Sequence, residues 1–229
     1  IELADTENEV LILGEVAVTY QNGANIYVRD NSGSLLIYDF DYKNAGYVNG
    51  DRLTGVKGKY KDYNGLPEMV DATLPVAVAG DAVAPRAISV ADLATAGLSE
   101  YVVLNEVRFT ENLAFSAENR NATVTNGDEE TAAIYNQYKL EASWGTNTPV
   151  AIVGTVGVYK ENRQLNYISH DVFAVEFANI AAIYAKGMWD MSRYEDYTAQ
   201  SVLARLNSQP TVVDKVVAAG HMGAVNNYY

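Results

Sequence analysis

The residues best equipped for chemistry in this 229-residue chain are carboxylates and tyrosines: 29 Asp and Glu, 17 Tyr and two histidines, His170 and His221. Paired carboxylates serve glycoside hydrolysis when two stand about 5–10 Å apart across a sugar cleft. With so many acids, chance pairs abound and none is marked. His170 precedes Asp171, a pairing known from general acid–base sites, but at the end of a strand it reads as a surface pair. No Gly-x-Ser-x-Gly elbow, His-Glu-x-x-His metal motif or phosphate loop occurs. Asp30-Asn31-Ser32-Gly33 has closely spaced oxygens, yet a calcium loop needs more acidic positions; the segment reads as a self-capping turn. Asp39 with Asp41, and Asp128-Glu129-Glu130, read the same way. The expectation is therefore no catalytic residue, no metal and no cofactor.

The tyrosines carry a stronger suggestion. Tyr20, Tyr27, Tyr38, Tyr42, Tyr47, Tyr60 and Tyr63 gather in the first third of the chain, with Arg29, Arg52, Lys57, Lys59 and Lys61 among them. Aromatic rings on a small β-barrel stack bases or sugars, and nearby cations hold phosphates. Tyr27, Arg29, Tyr38, Arg52, Lys57, Lys59 and Tyr60 form the expected ligand-binding set. Tyrosine is also an ordinary strand former, and that is the competing explanation.

The elements that must position these residues are strands. Residues 10–20 alternate with β-branching as a first strand, Asn22-Gly23 makes a turn, and 26–29 and 34–38 are the second and third strands around the turn at Asp30-Asn31-Ser32-Gly33. Residues 39–50 read as a loop. Residues 51–61 and 66–78 follow as fourth and fifth strands around Asn64-Gly65. Five short strands with a long excursion after the third make an OB-type barrel.

The pattern then repeats. Gly55-Val-Lys-Gly-Lys-Tyr-Lys-Asp62 returns 99 residues later as Gly154-Thr-Val-Gly-Val-Tyr-Lys-Glu161, and Leu66 and Leu165 keep the register. Strands over 101–107, 122–126, 131–135, 150–159 and 165–175 complete a second unit. The expected fold is mainly β: two tandem OB-like five-stranded barrels at 1–80 and 81–178, then a mixed helical or irregular segment at 179–229. Gly14, Gly55 and Gly58 fall inside strands, where a small barrel needs bends. Between the units, Ser89 and Asp92 are spaced as a helix cap. A helix is expected over 197–206.

Net charge bounds the partners. At −13, the chain repels phosphates at long range, so nucleic acid is expected to be disfavoured. No apolar run of about 18 residues exists, so no membrane span is expected. With no cysteine, disulfides and thiolate sites are ruled out. A start at Ile1 fits a processed or trimmed chain.

Residues 16–38, Val-Ala-Val-Thr-Tyr-Gln-Asn-Gly-Ala-Asn-Ile-Tyr-Val-Arg-Asp-Asn-Ser-Gly-Ser-Leu-Leu-Ile-Tyr, with Gly50-Asp51-Arg52-Leu53-Thr54-Gly55-Val56-Lys57-Gly58 and Tyr63-Asn64-Gly65-Leu66-Pro67-Glu68 after them, resemble the tandem OB-fold modules of secreted and surface proteins from Bacteroidetes. The resemblance covers about residues 9–175, and the second unit departs from it at an altered Asp-x-x-Gly turn and longer loops. It implies an exported, non-catalytic binding or assembly protein at the cell surface, with self-assembly, other surface proteins or glycans as partners. Single-stranded nucleic-acid binding and glycan binding or hydrolysis stand as the alternatives.

Overall fold

The computed structural model describes residues 10–112, 114–127, 130–146 and 148–173. The expected helix at 197–206, the tail and His221 lie outside the described residues. The described chain is mainly β.

The first sheet takes β1 (Val10–Ile12), β2 (Glu15–Asn22), β3 (Asn25–Arg29), β4 (Ser34–Tyr38), β5 (Arg52–Thr54), β6 (Lys57–Tyr63) and β7 (Leu66–Thr73) in the order β1-β6-β7-β4-β3-β2-β5. Its two ends, β1–β6 and β2–β5, lie on single chain passes broken only at Leu13-Gly14 and Gly55-Val56, so the sheet curls back on itself. Leu13 N donates to Val56 O at 2.9 Å across that junction. All pairs are antiparallel except β4–β7, the crossover that marks the OB order. Alternation sends Val16, Val18, Ile26, Val28, Leu35, Ile37, Leu53 and Met69 into one core.

The second sheet begins between the strands expected at 66–78 and 101–107, where β8 (Arg86–Ile88) runs parallel to β9 (Tyr101–Phe109). A 3-10 turn, Ala91–Thr95, lies between them; Asp92 N donates to Ser89 Oγ at 3.0 Å and Ser89 N to Asp92 Oδ2 at 3.2 Å, the reciprocal cap read from the sequence. Then come β10 (Ala114–Phe115), β11 (Asn121–Thr125), β12 (Thr131–Tyr135), β13 (Ala142–Ser143), β14 (Val150–Tyr159) and β15 (Asn162–Val172). β11 pairs with both β12 and β9, which closes the five-strand ring β9-β11-β12-β15-β14. β12–β15 is parallel, matching β4–β7. Leu104, Val107, Phe109, Phe115, Val124, Ile134, Ile152, Val156 and Leu165 fill this core.

The repeated glycines do different work in the two copies. Gly55 sits between β5 and β6 at φ +81°, a turn conformation open to glycine. Gly154 lies inside continuous β14, at a register shift against β15. There a Cβ would fall 2.4 Å from the Asn166 carbonyl oxygen. Gly58, at the β6–β7 register shift, sits under Met69 in the same way, with a Cβ 2.4 Å from Met69 Cγ.

Candidate ligand surfaces

In an OB barrel, ligands meet the outer face of the second and third strands and the turns before the second and fifth. On the first sheet this face belongs to β3 and β4, and its central outward residues are Tyr27 and Leu36, with Asn25, Arg29, Ser34 and Tyr38 around them at its less covered ends. Tyr27 and Leu36 are fully buried, because the second sheet covers them. Leu98, Tyr138 and Val158 pack on Tyr27, Leu36 and Leu66. Tyr138 meets Tyr20 edge-on at 5.1 Å and Tyr27 at 6.4 Å and 87°. Its hydroxyl pairs with Thr155 Oγ1 at 3.0 Å. The Tyr27 hydroxyl is buried near Tyr138, Thr155 and Asn166 without a hydrogen-bond partner. Burial pushes the Tyr27 and Tyr138 hydroxyls above the usual tyrosine value.

This corrects the expected ligand set. Tyr27 points outward, as its strand alternation implies, yet no solvent reaches it. Arg29 lies at the end of β3 near Glu100; that carboxyl is held below its ordinary range, first by hydrogen bonds from Arg86, whose Nη2 reaches Oε2 at 2.8 Å. Tyr38 stands edge-on to exposed Phe40 at 6.1 Å. Arg52 exchanges backbone bonds with Val78 and packs over Gly80, where a Cβ would come 2.8 Å from Nε. It fastens the segment leaving the first sheet. Lys57 and Lys59 do share the outer face of β6, but Lys59 is paired with Asp71 at 2.8 Å. Tyr60 is half-buried. The seven residues therefore do not make one site. Tyr42 and Tyr47 hold the 39–50 loop: Gln21 bonds Tyr42 O at 2.9 Å and Tyr47 N at 2.7 Å, and Tyr42 Oη accepts from Leu74 N at 3.0 Å.

The acidic segments behave as turns. Asp30 Oδ1 accepts from Ser32 N, Ser32 Oγ and Gly33 N at 2.7, 2.6 and 3.1 Å, and these bonds, led by the Ser32 hydroxyl, lower its carboxyl. Asp39 accepts from Asp41 N and Ala72 N. Asp128 and Glu129 lie outside the described residues. His170 is no free surface group. Its Nδ1 bonds Tyr167 Oη at 2.8 Å beside Phe109 and Trp144, and burial holds its pKa below the ordinary value. Among the described residues, no group of three or more His, Asp or Glu is arranged to hold a metal ion.

Two exposed features remain. The first is a pair of hairpin tips. At the β6–β7 turn, Tyr63 is 55% exposed and Lys61 Nζ lies 5.5 Å from its ring centre. At the β14–β15 turn, Tyr159 is 61% exposed and Lys160 Nζ lies 5.2 Å from its ring. These turns meet: Leu66 and Val158 share one apolar cluster, and a Cβ at Gly65 would stand 3.9 Å from Val158 Cγ1. The internal repeat places Tyr60-Lys61 and Tyr159-Lys160 in register, and that is their signal in the sequence. The second feature is the open β11–β12 face of the second sheet. Arg120 lies 4.5 Å over Tyr135, held by the carbonyls of Asn136 and Gln137. A shallow cleft of about 130 Å³ runs by Thr110, Glu111, Asn121 and Thr123, well below the roughly 300–1,000 Å³ of a small-molecule pocket.

No family model matches the chain, and no curated protein matches it. Solved structures do. A replication protein A heterotrimer described as bound to ssDNA aligns at 9% identity and TM-score 0.31, over 82% of this chain and 55% of that one. An Ifi202 HINa domain described in complex with dsDNA aligns at 11% identity and TM-score 0.32, over 74% and 99%. A tetrameric p202 HIN2 domain aligns at 10% identity and TM-score 0.35, over 73% and 97%. The expectation that nucleic acid is disfavoured is corrected here, since structures described as DNA complexes stand among these neighbours. The physical reason is that net charge sums the whole chain and says nothing of where single cations such as Lys61 and Lys160 are displayed. No helix among the described residues is long and apolar enough to cross a membrane.

Proposed function

We propose that this chain is a non-catalytic binding module of two OB barrels in tandem, divided near residues 80 and 178, that takes single-stranded nucleic acid across its paired hairpin tips. The observation carrying this reading is the juxtaposition of Lys61–Tyr63 with Tyr159–Lys160. Exposed rings stack bases of any sequence, and the ammonium groups beside them hold the backbone. With the centre of the β3–β4 face covered at Tyr27 and Leu36, the tips and the β11–β12 face are the surfaces that match the turn and strand positions where an OB barrel meets its ligands. The resemblance to exported Bacteroidetes modules directs the search for the protein to the cell surface, and fractionation of the source cells tests that placement.

Fluorescence anisotropy with a labelled thymidine oligonucleotide at low salt tests the binding. Tyr63→Ala and Tyr159→Ala are each expected to weaken binding by about 1–3 kcal/mol. Lys61→Glu with Lys160→Glu should flatten the salt dependence by about 1.4 in log–log slope, at about 0.7 for each phosphate no longer neutralised. Wild-type protein that binds no oligonucleotide at low salt would end this reading.

A further inference from the structure

One carboxyl sits on a largely covered face of the first sheet. Glu68, on the outer side of β7, is 6% exposed. Its neighbours across the sheet are Leu36 of β4 and Lys61 of β6. Leu66, two residues before it on the same face, packs with Leu36 in the layer that Leu98, Tyr138 and Val158 cover. Glu68 thus lies in the seam between the barrels, at the edge where Lys61 reaches solvent. Among the described residues, no side chain hydrogen-bonds or ion-pairs with it. The seam also holds the buried Tyr27 hydroxyl, which has no hydrogen-bond partner of good geometry and is close enough to feel the Glu68 charge.

We propose that Glu68 is a proton-operated latch: neutral, it lets the second barrel close over the β3–β4 face of the first; ionised, it loosens that closure. This stands whether or not the chain binds nucleic acid. A buried carboxylate without a partner is costly, and the seam can lower that cost by admitting water. Breaking a well-packed core could not; parting two covered faces can.

The groups facing Glu68 set the direction. Burial raises its carboxyl most; Lys61 lowers it and Asp62, also on β6, raises it, for a net value pushed up to about 7. Tyr27 faces it from β3. Arg29 of β3 and Glu100, just before β9, bring opposite charges to the seam. Tyr20 of β2, Tyr138 beyond β12 and Tyr101 of β9 also line it, and burial pushes all four phenols upward. They stay neutral across the range in question. Leu36 of β4 and Thr155 of β14 carry no charge. Because the closed state binds a proton more tightly than an open one, closure is strongest below the ordinary carboxyl value. It weakens as pH rises from there to about 7.

Hydroxyl-radical footprinting of the full chain reads the latch, with exposed Tyr63 as the internal standard and Tyr27 as the reporter. In the wild type, Tyr27 labelling relative to Tyr63 is expected to rise at least about tenfold between pH 5 and pH 8.5, since a carboxyl pushed from 4.5 up to about 7 carries more than one unit of linkage over that span. In Glu68→Gln it should stay flat and low. A carbon-detected NMR titration of Glu68 in the wild type gives a second reading that needs no variant. A Glu68 midpoint near 4.5, equal pH responses in wild type and Glu68→Gln, or unchanged Tyr27 labelling would each overturn the proposal.

Discussion

Alanine at position 154 is expected to be among the most damaging single-methyl additions in the described chain. The new Cβ would lie 2.4 Å from the Asn166 carbonyl oxygen and 2.7 Å from Leu165 Cγ. The first of these is backbone in a paired strand, so neither rotamer change nor side-chain swing relieves it. β14 would have to part from β15 at the register shift between Val153 and Gly154. Overpacking a filled interior costs about 1–3 kcal/mol, and more where backbone must move; Gly154→Ala belongs at or beyond the top of that range. Its repeat partner is the control. Gly55→Ala places a methyl where nothing lies within 4 Å, and its penalty comes only from holding φ at +81°, about 1–2 kcal/mol. Urea denaturation of both variants should show Gly154→Ala losing clearly more stability than Gly55→Ala. Equal losses would mean that the two copies of the motif do the same mechanical work.

That contrast shows how far the sequence can be read. The repeat announces two copies of one strand arrangement, and the alternation in 10–20, 26–29 and 34–38 is enough to place β2, β3 and β4 and to sort their residues into inner and outer sets. The reciprocal bonds of Ser89 and Asp92 are legible for the same reason: they depend on neighbours three residues away. What alternation does not convey is what lies beyond an outward side chain. Tyr27 is outward and buried because a residue over one hundred positions later, Tyr138, lies against it. Tyr138 sits in an aperiodic stretch with no pattern of its own. Glu68 does not stand out because one acid among 29 carries no mark of burial. β8 is hidden in an Ala- and Pro-containing linker, since a three-residue strand beside β9 needs no alternation. Lys61 and Lys160 are visible as repeated letters, but Tyr63 is not, since its repeat position holds Asn162, and the meeting of the two tips depends on the way the barrels face one another.

The seam itself should be worth a large share of the stability of this two-barrel body, and Tyr138 is where to measure it. Its ring fills the space between Tyr20, Tyr27 and Leu36 from one side, and its hydroxyl holds Thr155 on the other. Tyr138→Ala is expected to cost about 3–5 kcal/mol, the range for removing a large aromatic from a packed interior. Tyr138→Phe keeps the ring packing and gives up one hydrogen bond, leaving the buried Thr155 hydroxyl unpaired; it should cost about 1–2 kcal/mol. The Ala variant should also make Tyr27 reactive to solvent probes while both cores stay folded, because Tyr138 belongs to neither core cluster. Calorimetry then separates two cases. A single transition that shifts down intact means that the seam and the cores unfold together. Two transitions in the Ala variant, where the wild type shows one, mean that Tyr138 is the residue that makes two barrels unfold as one body. The second outcome is expected, since each core has its own strand pairings and the seam, with a few polar bonds such as Gln137 to Asn25, is what couples them. An Ala variant with wild-type stability and a protected Tyr27 would show that the seam is held elsewhere.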